Sequence, residues 1–386
     1  MRTLTALPLP SGPAVLDLIG SLTDILAGAV AALPVPAADP TETDRLAAAL
    51  GAGEPIDDAV SLVVATSGTT GIPKGAMHTP ATLSASAAAT ESFLGGPGGW
   101  LLALPPHHIA GLQVMLRSLR AGHTPVIIDV AGGFDPADLI AGIDAMSGPH
   151  RYTSLVPTQL IKTLDDPSAT AALREVDAVL VGGAATPALL QQRAIDAGIP
   201  IVRTYGMSET CGGCVYDGVA LDGVRIRLAD PNPDGIGRVV LSGPVVALGY
   251  RNLPDHPAFT TPGEYRTDDL GRLDDAGVLS IVGRADEAIS TGGLTVVPQV
   301  VEAVILSDPT VAECAVLGLP DERLGERVVA VVVAASGAVV TTERVRAVAA
   351  EQLDRTAVPR EVFVVDELPR RGPGKVDRAA LRRTLS

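Results

Sequence analysis

The chain is short of aromatic residues, cysteine, long apolar runs and positive charge, and shortest of all in lysine. One Trp, five Tyr and four Phe in 386 residues mean that the 47% hydrophobic content rests on Ala, Val and Leu. That content still excludes a disordered chain, and the length allows two or three domains with real cores. Three cysteines fit a reducing compartment and exclude a disulfide scaffold. No run reaches the roughly 18 apolar residues of a membrane span. The N-terminal apolar stretch carries Asp17 and Asp24 and lacks a secretory pattern, so a soluble cytoplasmic protein is expected. A formal charge of −15 argues against a nucleic-acid or anionic-membrane partner. Any anion site must be built locally.

Of 29 Lys and Arg residues only three are lysines: Lys74, Lys162 and Lys375. Arginine serves wherever a generic positive charge suffices, so a retained lysine points to a need for a compact, mobile ammonium. Lys162 lies in an apparent helix, Gln159–Leu164, and reads as solvated surface. The other two sit in Gly/Pro-rich loops.

Lys74 closes Thr66-Ser67-Gly68-Thr69-Thr70-Gly71-Ile72-Pro73-Lys74-Gly75, which follows the strand-like run 59–65. Glycines let the backbone approach a ligand, while Ser67, Thr69 and Thr70 add hydroxyl donors. This suits a polyanion such as a triphosphate, although the Walker spacing is absent. Lys375 lies in Pro369-Arg370-Arg371-Gly372-Pro373-Gly374-Lys375-Val376-Asp377-Arg378. Cys211 and Cys214 form a C-x-x-C, but no second Cys/His pair completes a zinc set. Small residues in a tight loop is the preferred reading.

Residues 1–58 read as helices joined by Pro/Ala-rich connections such as 33–40. From 59 to about 250, apolar strands alternate with helical patterns, which predicts an α/β domain with a largely parallel sheet. Glycine- or hydroxyl-rich turns follow several strands, and such turns converge at the carboxyl ends of a parallel sheet. Residues 222–283 shorten and alternate as antiparallel β-structure, and 288–386 form another α/β stretch. The polar segment Gly283-Arg284-Ala285-Asp286-Glu287 suits a hinge between them.

Other clusters have their own chemistry. Tyr205-Gly206-Met207-Ser208-Glu209-Thr210 offers an aromatic face, a glycine and a carboxylate able to hold Mg²⁺ beside phosphates. Tyr265-Arg266-Thr267-Asp268-Asp269 ends in carboxylates suited to ribose hydroxyls, and Arg284 supplies a planar donor fork.

In order and content these motifs, from about residue 60 to 380, resemble the adenylate-forming superfamily of acyl-CoA synthetases, carrier-protein adenylation domains and luciferases. Many members have a longer region before the phosphate loop; here Thr66 comes early. Within the superfamily, residues 105–112, 154–160 and 205–217 are most similar to the o-succinylbenzoate–CoA ligases of menaquinone biosynthesis, of the short actinobacterial type. Two positions depart from the common pattern. Asp268 replaces a glycine, so the ribose role carries to Asp269, and Ser290 follows Ile289 where relatives often have lysine.

The resemblance implies an α/β fold with a large N-terminal domain (1–283), mostly parallel sheets and a small β-subdomain. A hinge (284–287) and a smaller mobile α/β C-terminal domain (288–386) follow. It implies AMP-forming activation of o-succinylbenzoate by ATP and Mg²⁺ and transfer to coenzyme A. Alternatives are another fatty or aryl acid–CoA ligase, or a non-catalytic adenylate-binding protein. Phosphates are assigned to Thr66, Ser67, Gly68, Thr69, Thr70, Gly71 and Lys74, and the metal to Glu209 and Thr70. Adenine is assigned to Tyr205, Gly183 and Ala184, with Gly206 also in the cofactor site, and ribose to Asp269 and Arg284. Catalysis falls to Lys375, Glu209, Thr210 and His108, with domain rotation at Asp286. The acyl substrate is expected near His108, Thr158, Gln159 and Met207, with Arg203 at its second carboxylate. Partners are small molecules only, and the protein is expected as a monomer or homodimer.

Overall fold

Short apolar runs fully buried on both faces, such as Gly99–Leu102 (Gly-Trp-Leu-Leu) and Ala178–Val181 (Ala-Val-Leu-Val), set the architecture. A strand with no polar face must be covered on both sides, which is the condition of a parallel sheet flanked by helices. The computed structural model describes residues 1–66, 73–371 and 375–385, with the side chains of Arg371 and Lys375 outside the description. The chain divides into two units: Met1–Arg227 with Val240–Arg266, and Leu228–Val239 with Thr267–Ser386.

In the first unit five strands lie side by side in parallel: Val126–Ile127, Gly99–Leu102, Arg151–Leu155, Ala178–Val181 and Ile201–Met207. Gly212–Tyr216 and Val219–Ala220 continue this sheet antiparallel to Ile201–Met207. A second sheet runs in the order Pro55–Ile56, Arg2–Leu9, Ala31–Pro36, Leu62–Thr66, Lys74–His78.

The N-terminal region departs from the helical expectation. Helices Ile19–Ala27 and Pro40–Leu50 form, but Arg2–Leu9 is a strand, and the proline-rich connection contains the strand Ala31–Pro36. The two pair in parallel from Leu4↔Ala31 to Leu9↔Pro36. Proline lacks the N–H a central strand needs, which argued for a connector. Pro34 and Pro36, however, lie beyond the Ala32↔Leu62 pair that ties this strand to its other neighbour. Burial of Ala31, Ala32, Leu33 and Val35 decides the outcome.

Four strands, Arg225–Ala229, Gly237–Ser242, Glu264–Leu273 and Leu279–Arg284, form the expected small β-sheet; the division between units falls within three of them. The second unit also holds a mixed sheet in which Val311–Asp321 and Gly325–Ala334 pair along their length. Period-two alternation sends Val316, Val328 and Ala330 to one core and Ala315, Leu317 and Val329 to another. Helices Pro298–Ile305, Thr342–Gln352 and Arg378–Leu385 belong to this unit. Lys375–Val376 pairs with Arg370–Arg371 in register Arg371↔Lys375. The α/β expectation holds. Among the described residues no helix is long and apolar enough to cross a membrane.

Candidate active site

The register of the parallel sheet decides which turns meet. Arg203 pairs with Val181; Tyr205 lies two residues further along its strand, and Gly183 two residues beyond Val181, just past the end of the adjacent strand. Gly183 (φ +81°) and Ala184 are exposed at that carboxyl edge. Thr158 follows the neighbouring strand Arg151–Leu155, and His108 follows Gly99–Leu102, immediately before the helix Ile109–Arg120. The turns singled out from sequence therefore share one edge, where open α/β sheets bind ligands.

Glu209 lies in the tight turn Ser208–Thr210 that reverses the sheet from parallel to antiparallel. Gly206 sits at a register shift in that pairing, and a Cβ there would stand 2.0 Å from the Gly212 carbonyl oxygen. Only glycine fits. The Thr210 hydroxyl closes the turn, accepting from the Met207 N–H at 3.0 Å and donating to the Gly212 carbonyl at 2.8 Å. Cys211 then takes φ +56°, a left-handed conformation that costs a non-glycine residue about 1–3 kcal/mol unless its surroundings enforce it. Ser86 Oγ at 3.2 Å and Gln113 Nε2 at 2.8 Å both donate to its carbonyl. Burial pushes the thiols of Cys211 and Cys214 up to about 12, so neither is a thiolate.

The Glu209 carboxylate is 6% exposed and accepts a 2.6 Å hydrogen bond from the Tyr250 hydroxyl. Tyr250 is also 3.3 Å from the Tyr265 hydroxyl. Burial first, and Glu209 second, raise the Tyr250 phenol, which stays a donor. Sequence reading missed Tyr250. It also missed His256, whose Nε2 is 3.2 Å from the Lys74 ammonium; that ammonium lies 5.2 Å from the centre of the Tyr250 ring. Asn252 completes the support, donating to the Pro73 carbonyl at 2.9 Å and accepting from the Gly75 N–H at 3.3 Å. A clue was available: Tyr250, Phe259 and Tyr265, three of only ten aromatic residues, pack together.

The strand pair sets Thr66 opposite Lys74, so the ends of the intervening loop are neighbours. Ser67, Gly68, Thr69, Thr70 and Gly71 lie outside the described residues. Gln159 is buried, with its amide bound to backbone: it accepts from Val156 N–H at 2.9 Å and donates to Ala103 O at 2.7 Å. Thr158 and Met207 are half-buried. His108 is half-buried beside His107, at 4.3 Å between ring centres. Arg203 is exposed and ion-paired to Asp217 at 3.1 Å.

In the second unit Asp269 and Arg284 are register partners on adjacent strands. Thr267 orients this end, donating to Val239 O at 2.9 Å and accepting from Asp269 N–H at 3.0 Å. The Arg284 guanidinium grips Asp286 with two hydrogen bonds of 2.8 Å and lies 3.5 Å from Asp269 and 3.8 Å from Asp268. Burial opposes its charge, but Asp286 and Asp269 outweigh that and raise its pKa. Gln299 holds the same segment, accepting from Arg284 N–H at 3.3 Å and donating to Glu287 at 2.6 Å. Lys375 stands on its short strand, with its side chain outside the description.

The sequence profile described as AMP-binding enzyme matches residues 23–251, more than half of the chain. The chain belongs to the AMP-binding enzyme family. The C-terminal domain of AMP-binding enzymes matches residues 300–375, within the second unit. A probable 2-succinylbenzoate–CoA ligase of Mycobacterium tuberculosis (strain H37Rv) is 55% identical over 386 residues, covering 99% of each chain. The 2-succinylbenzoate–CoA ligase of Geobacillus kaustophilus is 32% identical, over 96% of this chain and 77% of its own. Among solved structures, o-succinylbenzoate CoA synthetase from Bacillus subtilis with its acyl-adenylate intermediate superposes at TM-score 0.80 and 26% identity. That match covers 100% of this chain and 89% of the other. ATP-bound MatB from Rhodopseudomonas palustris superposes at 0.84 with 26% identity and the same coverage. In this AMP-binding enzyme the elements carrying Glu209, Tyr205 and Lys74 thus lie within the matched first region, and Lys375 ends the second.

Proposed function

We propose that this AMP-binding enzyme is an ATP-dependent o-succinylbenzoate–CoA ligase acting in the cytoplasm. The observation that carries the reading is its 55% identity, over essentially the whole chain, to a probable ligase of that substrate. In the first half-reaction a substrate carboxylate oxygen attacks the α-phosphorus of ATP and pyrophosphate leaves. In the second, the coenzyme A thiolate attacks the acyl carbon and AMP leaves. Neither step needs a covalent enzyme nucleophile, so the protein works by positioning and charge stabilisation.

Lys74 and the Thr66–Gly71 loop take the β- and γ-phosphates, with His256 and Tyr250 orienting the ammonium. Tyr205, Gly183 and Ala184 face adenine, and Asp269 accepts the ribose hydroxyls with Arg284 beside it. Glu209 fits magnesium: it is a buried hard-oxygen anion whose 2.6 Å partner is a neutral phenol. When bound, the ion neutralises phosphate charge, and Glu209 with Thr70 would hold it. Lys375 bridges the substrate carboxylate and the α-phosphate as charge builds. Residues 288–386 then rotate about Asp286 against residues 1–283, withdrawing Lys375 before thiolysis.

Pyrophosphate release with o-succinylbenzoate, benzoate and octanoate, each with and without coenzyme A, tests the substrate. Turnover with o-succinylbenzoate, completed to a thioester with coenzyme A, is expected. Turnover only with another acid moves the enzyme to a different pathway, and silence with all makes it a binding protein. Lys375→Ala should slow adenylation 10²–10³-fold, about 3–4 kcal/mol, and leave thiolysis of supplied acyl-adenylate nearly intact. Equal loss in both half-reactions would sink the rotation mechanism.

A further inference from the structure

The turn carrying Glu209 is bracketed by a residue that the mechanism above does not use. His78 is the last residue of the strand Lys74–His78, and its side chain is fully buried. Its Nε2 lies 2.6 Å from the carbonyl oxygen of Ser208, the residue just before Glu209. Its Nδ1 lies 3.0 Å from the sulfur of Cys211, two residues after Glu209. One imidazole therefore ties both flanks of the carboxylate to a strand of the other sheet.

The partners dictate the tautomer. A carbonyl oxygen only accepts, so Nε2 carries the proton and Nδ1 is bare. The bare nitrogen accepts from the Cys211 thiol, with the Thr82 hydroxyl further off at 3.4 Å. Both the imidazole and the Cys211 thiol are fully buried, so water does not compete for these contacts. The histidine is itself pinned, because Thr79 and Thr82 form a reciprocal cap that starts the next helix one residue later. A histidine that merely filled space would not need both nitrogens matched to the two flanks of one turn. We propose that His78 is a positioning residue for Glu209, fixing the direction of its carboxylate by holding Ser208 and Cys211. This rests on the reading of Glu209 as the magnesium carboxylate.

The test is the magnesium activation constant for pyrophosphate release, measured alongside the Michaelis constant for the acid and the melting temperature. His78→Leu should raise the magnesium constant about tenfold while leaving the Michaelis constant for the acid within about twofold. His78→Gln, whose amide N–H still reaches the Ser208 carbonyl, should recover most of that loss. Cys211→Ala removes the thiol donor alone and should shift the constant a few-fold, so the test survives if His78→Leu does not fold. A lower melting temperature with an unmoved magnesium constant in the variants that fold would overturn the proposal. So would a Gln variant no better than Leu. Glu209→Gln separates the two readings. If it leaves the magnesium constant unchanged, the metal assignment fails and this inference with it. If it moves the constant while the His78 and Cys211 variants do not, only the positioning role fails.

Discussion

The surroundings of Glu209 and those of Arg284 hold a charge in opposite ways. Among the described residues, Glu209 is buried and contacts neutral groups: the Tyr250 hydroxyl directly, and His78, Ser86, Gln113 and Thr210 on its turn. Arg284 is about a third exposed and surrounded by carboxylates: Asp286, Asp269 and Asp268. The first arrangement is expensive to disturb, since each removed partner strands a group that water cannot reach. The second exchanges partners cheaply, because solvent and salt screen each pair. The first environment suits the magnesium-holding role proposed for Glu209, and the second suits the hinge role proposed for Asp286.

That contrast breaks most readily at His78. Burial lowers its pKa from 6.5 to about 4, so the folded ring stays neutral where the unfolded ring takes up a proton. Its contribution is complete above pH 6.5 and is lost as pH falls toward 4, by up to about 3 kcal/mol. Denaturant unfolding at pH 7 and pH 5 should show this loss, and His78→Gln should flatten it. An unflattened curve would mean that another group titrates. Next in size is Tyr250→Phe, which removes the 2.6 Å donor to Glu209 and should cost about 1–3 kcal/mol of stability with little salt dependence. The smallest effect is expected at Arg284→Lys, which loses the two-pronged grip on Asp286. Its stability should change by less than about 1 kcal/mol, and that difference should shrink in high salt. If Tyr250→Phe proves as salt-sensitive as Arg284→Lys, the two environments are not distinct.

Legibility from sequence followed contact range. The parallel strands were readable because each is a short apolar run punctuated by glycine or hydroxyl turns; the roles proposed for Asp269 and Arg284 rest on local motifs. The support around Lys74 was not, because His256 lies 182 residues away and meets it only through the fold. His78 was overlooked for a related reason: nothing near it in sequence announces Ser208 or Cys211 as its partners. The N-terminal strands were hidden by local chemistry, since proline argues for a connector until the neighbouring register is known. Lys375 stood out through lysine scarcity, which composition alone displays.

The shared fork of Arg284 has a thermodynamic consequence. A planar guanidinium that grips Asp286 with two nitrogens has its remaining reach toward Asp269, the carboxylate assigned to ribose. If, as proposed, a nucleoside binds at Asp269 and residues 288–386 rotate about Asp286, redistributing that grip alters the free energy of the rotation. By linkage, the rotation alters nucleoside affinity by the same factor. Nucleotide binding and domain movement would then be two readings of one equilibrium constant, and an Asp286 variant would register first as altered affinity for adenosine.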